Sequence, residues 1–203
     1  ETCCLPLFTA SVPYRHIYVW RIPDFLDQDS ERYRTGREHS SLEPAEEVWH
    51  SCRITNTMKM PWTTAPAEFV TDGAFIGQDI CSYTAPGAQT TIRINRAMNI
   101  LAEQAEYEAQ RTRDAVTFSG YRYDRVTVRG ELKLRSHLDK AATIEVTKDL
   151  SGEVRETAPV AKDTPTTRGL KKVNPAHQLV WTVDLKPGAE ETISYTYDVY
   201  VRQ

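Results

Sequence analysis

Residues 174–202 constrain the fold most, because apolar and polar side chains alternate through them almost without a break. Leu179, Trp181 and Val183 occupy alternate positions before a Lys-Pro-Gly turn at 186–188. Tyr195 and Tyr197 occupy alternate positions after the turn. Alternation with a period of two indicates half-buried strands, and Pro-Gly marks a turn between them. The sequence therefore predicts an antiparallel hairpin with Trp181 in the core. The residues expected to form its plain polar outer surface are Gln178, Thr182, Asp184, Thr196 and Asp198.

Shorter segments with the same pattern predict strands at 14–22, 47–55, 67–70, 75–80, 89–95, 121–134 and 142–148. Asp72-Gly73 predicts a tight hairpin turn, and Gly130 predicts a bulge or bend. Polar residues predict loops at 24–46 and 157–169, with a short helix left open at 29–35. Regularly spaced strands predict an all-β fold, an antiparallel β-sandwich with little helix and an immunoglobulin-like C-terminal half. Two packed β subdomains are expected, at 1–118 and 119–203.

Residues 96–118 carry conflicting signals. Their alanine, leucine, methionine, glutamate and glutamine content favours a helix. After Gln104, however, Tyr107 and Ala109 alternate with charged neighbours, which favours a strand. A long charged strand is the favoured interpretation, and the helix stays open.

Composition argues against several functions. The chain has 203 residues and a net charge of −3, whereas nucleic-acid binders usually carry a basic face. No apolar run approaches the roughly 20 residues of a membrane span. Neither a G-x-S-x-G nucleophile elbow nor a glycine-rich phosphate loop occurs. We therefore expect a non-enzymatic protein with no cofactor, no nucleic-acid partner and no membrane span.

Histidine and cysteine provide a weaker metal hypothesis. His50 and Cys52 share one face of a predicted strand, where they could hold zinc or copper with His16, Cys81 or Cys3 as further ligands. Packing in the core is the more ordinary role for such residues, and Cys52 is expected to be a buried free thiol. A Cys52–Cys81 disulfide is the alternative.

Acidic residues cluster in the 24–46 loop, among them Asp24, Asp27, Asp29 and Glu31. They could suggest calcium binding or glycosidase chemistry, but nothing around them would desolvate a catalytic carboxyl. A solvated loop is the preferred interpretation.

Two of the four tryptophans are candidate contact residues for a partner or ligand. Trp49 is out of phase with the apolar face of its strand, and Trp62 lies in a segment flanked by prolines. Exposed tryptophans of this kind stack on sugars or anchor protein contacts. Core packing would explain Trp49 equally well.

The run L-x-W-x-V-x-L-x-P-G at 179–188 is followed by I-S-Y-T-Y at 193–197. Upstream stand Asn56, Pro61, Asp72-Gly73, Gly77-Gln78 and Y-T-A-P-G at 83–87. Together, over residues 48–201, these motifs resemble the C-terminal domain of mucoidy-inhibitor-A-like bacterial proteins, a family of unknown function. The resemblance implies an all-β, sandwich-like fold and an envelope- or surface-associated, extracytoplasmic role, with no catalytic residues to carry over. The charged 24–46 segment departs from the family pattern.

These observations favour a non-catalytic module that makes protein–protein or cell-envelope contacts within a larger bacterial protein or assembly. The strands nearest the termini, 14–22 and 192–202, could be sheet edges that accept a protein partner or a second copy. The first alternative is a carbohydrate-binding or accessory domain of a secreted enzyme, which would bind glycan through Trp49 or Trp62. The weaker alternative is the His/Cys metal-binding domain.

Overall fold

The structure, a computed structural model, describes residues 9–24, 46–167, 169 and 172–203, and these contain strands but no helix. The strands are β1 Tyr14–Ile22, β2 Val48–Thr55, β3 Ala65–Thr71, β4 Ala74–Cys81, β5 Gln89–Arg96, β6 Ile100–Phe118, β7 Tyr121–Ser136, β8 Ala142–Ser151, β9 Glu153–Ala158, β10 Lys162–Pro165, β11 Ala176–Leu185 and β12 Glu190–Arg202. The all-β prediction is confirmed. Cys3, Cys4, the acidic residues Asp27, Asp29 and Glu31 and the possible helix at 29–35 lie outside the described residues.

The chain divides into two compact units, one of residues 1–17 and 49–95 and one of residues 18–48 and 96–203. In the second unit, β10, β11, β8 and β1 form one sheet in that order, and β6, β7, β12 and β9 form another. Neighbouring strands in these two sheets are antiparallel except β1 and β8, which run parallel from Tyr18↔Ile144 to Ile22↔Lys148. The expectation of purely antiparallel sheets is wrong for that pair. Its strands lie far apart in sequence, and local alternation does not specify the direction of a distant partner.

The core of the second unit takes side chains from both of its sheets. Trp20, Ile144 and Trp181 come from the first sheet, and Leu132 and Tyr195 come from the second. Side chains from facing sheets that share one core make a sandwich-like architecture. Trp181, which is only 3% exposed, lies in this core as predicted.

The predicted hairpin at 174–202 is wrong. β11 pairs with β8 and β10, whereas β12 pairs with β7 and β9, so the two strands belong to different sheets. The turn between them is present: the Ala189 amide donates to the Lys186 carbonyl, and Gly188 has a φ of 68°. Alternation identifies the buried face of each strand and leaves its pairing partner open.

The prediction that β12 presents a plain polar outer surface is wrong at Asp198. Its side chain is buried and accepts hydrogen bonds from Thr127 Oγ1 at 2.7 Å and from Arg155 Nε at 2.9 Å. An ionised carboxylate is tolerated there because charged and hydroxyl donors compensate for its lost hydration.

Gly130 forms neither a bulge nor a bend. It pairs in regular register with Tyr195 on one side and Glu106 on the other. A Cβ at Gly130 would lie 2.1 Å from Cζ of Tyr195, so the absence of a side chain at Gly130 leaves room for the Tyr195 ring to lie over its backbone. The register shifts of β6 lie at 108–110 and 112–116 instead.

Residues 100–118 form a strand, which confirms the favoured interpretation over the helix. β6 pairs with β7 from Ile100↔Ser136 to Phe118↔Tyr121, so backbone pairing overrides helix propensity. The loop predicted at 157–169 is wrong in part, because β10 lies within it and pairs with β11.

In the first unit, β1, β2 and β5 are neighbours in that order, and β3 and β4 form a separate two-stranded sheet. Ile17, Cys52, Ile92 and Ile94 are its buried apolar residues. The prediction that the strands nearest the termini are sheet edges is wrong. β1 pairs with β2 in the first unit and with β8 in the second, and β12 has β7 and β9 on its two sides.

Candidate functional site

The β3–β4 hairpin of the first unit is the most distinctive surface feature of the protein. Its turn is Asp72-Gly73, with φ values of 51° and 78°. Two consecutive left-handed residues are the geometry of the tightest hairpin turns, and Asp-Gly is among the preferred sequences for them. Among the described residues, no further strand pairs with either edge of this two-stranded sheet.

One face of the hairpin is apolar and exposed. Val70 pairs with Phe75, and Pro66 pairs with Ile80, so these four side chains project to the same side. Val70 is 60% exposed, Phe75 59% and Ile80 54%. Apolar side chains that adjoin each other while exposed to this degree are typical of a contact surface.

The other face of the hairpin packs against its own unit. A Cβ at Gly77 would lie 1.9 Å from the carbonyl oxygen of Ile94, so β4 passes very close to the backbone of β5. Asp79 Oδ2 also accepts a hydrogen bond from the Arg93 amide at 3.0 Å. The hairpin is therefore anchored on one face, while the face of Val70 and Phe75 points to solvent.

Trp49 does not offer an open stacking platform. It is half-buried, and the Arg93 guanidinium carbon lies 4.9 Å from its ring centroid. Its Nε1 is buried and has no hydrogen-bond acceptor among the described residues. A cation over an indole ring occupies a face on which a sugar would stack.

Trp62 has a structural role. Its backbone exchanges two hydrogen bonds with Thr84, and its Nε1 contacts Met58 Sδ at 3.4 Å. The fully buried Asn56 organises the same region, because its Nδ2 donates to the Met60 and Thr84 carbonyls and its Oδ1 accepts from the Met58 amide. Trp49 and Trp62 lie in different elements, and the structure gives no contact that joins them.

The predicted metal ligands only partly come together. Cys52 and Cys81 are free thiols, so the alternative of a disulfide is wrong and the free Cys52 is confirmed. Burial raises the pKa of both thiols, which disfavours the thiolate that binds metals. His50 instead lies next to His16, with 3.0 Å between His50 Nε2 and His16 Nδ1. The described part of the chain holds no group of three histidine, cysteine or acidic side chains suited to a metal ion.

A buried ionic cluster in the second unit was not predicted. Lys148, only 2% exposed, has its Nζ 3.3 Å from Glu106 Oε1, and the Tyr195 hydroxyl donates to the same oxygen at 2.6 Å. Burial and then the charge of Glu106 raise the pKa of Tyr195, so its phenol stays protonated and donates. The sequence signal that could have revealed the cluster is the position of Lys148, which alternation places on the same inner face of β8 as Ile144 and Val146.

This cluster links the two sheets of the second unit. Lys148 belongs to β8, and Glu106 and Tyr195 belong to β6 and β12 of the facing sheet. Because the ammonium is enclosed by core side chains, no substrate of ordinary size reaches it. We interpret the cluster as structural.

A cavity of about 290 Å³ lies in the second unit. Its lining mixes aliphatic side chains, among them the exposed Met98, with the charged Glu46, Arg96 and Glu103. Neither Trp49 nor Trp62 lines it.

Within the residues described here, the chain forms no helix of the length and hydrophobicity that crossing a bilayer requires. Comparison of the sequence with protein-family models and curated proteins, and of the fold with solved structures, finds no match.

Proposed function

We propose that the protein is a non-catalytic binding module, which makes protein–protein contacts through the exposed face of the β3–β4 hairpin. The partner that binds to this face is a second copy of the chain. The observation that carries the proposal is the exposure of the adjoining pair Val70 and Phe75, and of Ile80 beyond the Glu68–Gln78 pair, on one face of an anchored hairpin. Two-stranded sheets are weakly stable by themselves, so burial of this face would also stabilise the hairpin.

The exposed area supports a weak dimer. Side chains of this size, more than half exposed, each present on the order of 100 Å² of apolar surface. Three of them on each of two copies would remove roughly 600 Å² of apolar surface from water. Interfaces are a little over half apolar, so the total interface would be on the order of 1,000 Å², at the lower limit for specific association. We expect a reversible, concentration-dependent dimer.

The polar residues on this face are also compatible with a second copy. Between the two apolar rows, Glu68 pairs with Gln78. A two-fold axis parallel to the strands places β3 of one copy over β4 of the other, so Glu68 would face Gln78 of the second copy. Each apolar side chain would then face another apolar side chain, as an isologous contact requires.

The finer predictions from the sequence are part of this proposal. We propose an immunoglobulin-like second half and a cell-envelope role within the mucoidy-inhibitor-A-like group. The motif residues support the resemblance, because Asn56 is a buried hydrogen-bonding centre and Gly77 lies where no side chain fits. A glycan site at Trp49 or Trp62 receives less support, since Arg93 covers one ring and backbone pairing holds the other residue.

Sedimentation velocity from low to high micromolar protein tests the proposal. The wild-type chain should move from monomer towards dimer, and Val70→Glu should remain monomeric because it adds a charge to the apolar face. Val160→Glu is the matched control, since Val160 is 88% exposed in the second unit and should leave the association unchanged.

A wild-type chain that stays monomeric throughout this range would contradict the proposal. Equal loss of association in Val70→Glu and Val160→Glu would also contradict it, because the effect would then follow charge and not the hairpin face. Far-UV circular dichroism should show that both variants keep the strand content of the wild type.

A further inference from the structure

Two histidines from neighbouring strands of the first unit face each other. His16 lies on β1 and is exposed, whereas His50 lies on β2 and is half-buried. His16 Nδ1 and His50 Nε2 are 3.0 Å apart, and the ring planes are inclined by 31°. Tyr14 packs edge-on against the ring of His16, with the centroids 5.5 Å apart. Two imidazole nitrogens are thus held together at a place that solvent reaches.

Asn95 is a further polar partner of His50. A side-chain hydrogen bond to Asn95 raises the pKa of His50, as an acceptor of a ring N–H does. Because His50 Nε2 faces His16, the ring nitrogen left for Asn95 is Nδ1. Asn95 therefore holds the His50 ring with Nε2 towards His16 Nδ1. A side chain that fixes the tautomer of a ligating histidine is a usual part of a metal site.

The separation of the nitrogens suits two neighbouring positions on a metal ion. Bonds of about 2.0–2.1 Å to imidazole place nitrogens at right angles about 2.9 Å apart, and tetrahedral ones about 3.3 Å apart. The observed 3.0 Å is close to the right-angled arrangement found around Ni²⁺ and Cu²⁺. In the metal-free pair the two nitrogens point at each other, so both rings must turn before their lone pairs converge on one ion, and His16 is the exposed member of the pair.

We propose that His16 and His50 form a two-imidazole binding site for a divalent transition metal such as Ni²⁺ or Cu²⁺, with water in the remaining coordination positions. On binding, whichever histidine donates in the metal-free pair moves its proton to its outer ring nitrogen, so both ligands are neutral and the proton count is unchanged. The site lies apart from the Val70 face and does not depend on the proposed dimer.

Calorimetric titration of the intact chain with Ni²⁺ tests the proposal, because Ni²⁺ does not oxidise the free thiols. We expect one site, with affinity reduced at least about tenfold, or 1.4 kcal/mol, in His16→Ala and in His50→Ala. His177→Ala is the matched control, since His177 belongs to the second unit and bonds to Asp163 at 2.8 Å. Mg²⁺, which prefers oxygen ligands, should not bind at this site.

Asn95→Ala gives a second test, because it keeps both ligands and removes only the group that orients His50. The loss of such a group typically lowers metal affinity about 10–100-fold. The proposal would be overturned by equal Ni²⁺ affinity in wild type and His16→Ala, or by an equal loss in His177→Ala. His16 is exposed, so His16→Ala should fold and remain informative even if His50→Ala does not.

Discussion

Replacement of Trp181 by alanine tests the packing of the second unit most directly. The side chain is 3% exposed, its ring centroid lies 6.1 Å from that of Tyr195, and its Nε1 donates to the Pro159 carbonyl at 2.9 Å. Truncation of a buried tryptophan costs about 3–5 kcal/mol. Loss of the donor to a carbonyl costs about 1 kcal/mol more. Trp181→Ala should therefore lower the free energy of unfolding by about 4–6 kcal/mol, against a typical total of about 5–15 kcal/mol.

Urea unfolding followed by far-UV circular dichroism measures this change without using tryptophan fluorescence. Trp181→Phe keeps an aromatic ring and removes the donor together with part of the ring volume, so it should cost less than Trp181→Ala, about 1–3 kcal/mol. Val160→Ala, at an exposed position, should lie within about 0.5 kcal/mol of wild type. A cost below about 1 kcal/mol for Trp181→Ala, with an unchanged denaturant slope, would refute the assignment of Trp181 to the core.

Two further predictions concern stability. Gly130→Ala should cost about 1–3 kcal/mol of stability, because the new Cβ would overlap the Tyr195 ring. The cost should be smaller in a Tyr195→Leu background, so equal shifts of the urea midpoint in both backgrounds would contradict this prediction. Burial raises the pKa of Asp198, but hydrogen bonds from Thr127 and Arg155 and the charge of Arg155 outweigh burial, so the net pKa is lowered. The stability that Asp198 contributes is therefore present above its unfolded pKa of about 4 and is lost as pH falls through the lower folded value. Asp198→Asn should be less stable than wild type at pH 7 and should lose less stability than wild type on acidification below about pH 4. Urea unfolding at a series of pH values measures this. Parallel profiles of stability against pH in the two proteins would contradict the lowered pKa of Asp198.

Local patterns in the sequence predicted most strands and many of their buried faces. Leu179, Trp181 and Tyr195 are buried where alternation placed them, and the Asp72-Gly73 turn joins β3 to β4. Residues 100–118 form the strand that alternation favoured over helix propensity. These predictions succeed because side-chain direction has a period of two along any strand, whatever strand lies beside it.

Contacts between distant residues were harder to predict. Val70 and Phe75 are exposed because no described strand covers their face of the hairpin, and no local pattern reports this. The sequence offers His16 only as one of three further ligands beside His50 and Cys52, and places the Cys52 thiol two residues from His50. The structure pairs the two histidines instead, because β1 and β2 are neighbours in the sheet.

The sequence by itself determined that this protein is built of strands, where most of them turn, and that Trp181 faces a core. It did so through periodicity and turn chemistry, which act between residues a few positions apart. Only the tertiary structure decided that 176–185 and 190–202 belong to different sheets, that β1 runs parallel to β8, and that Lys148 meets Glu106 inside the second unit. The reason is that a strand offers the same backbone donors and acceptors to any partner. The choice among partners depends on how all the apolar faces can be buried together, and on which charges then find compensation.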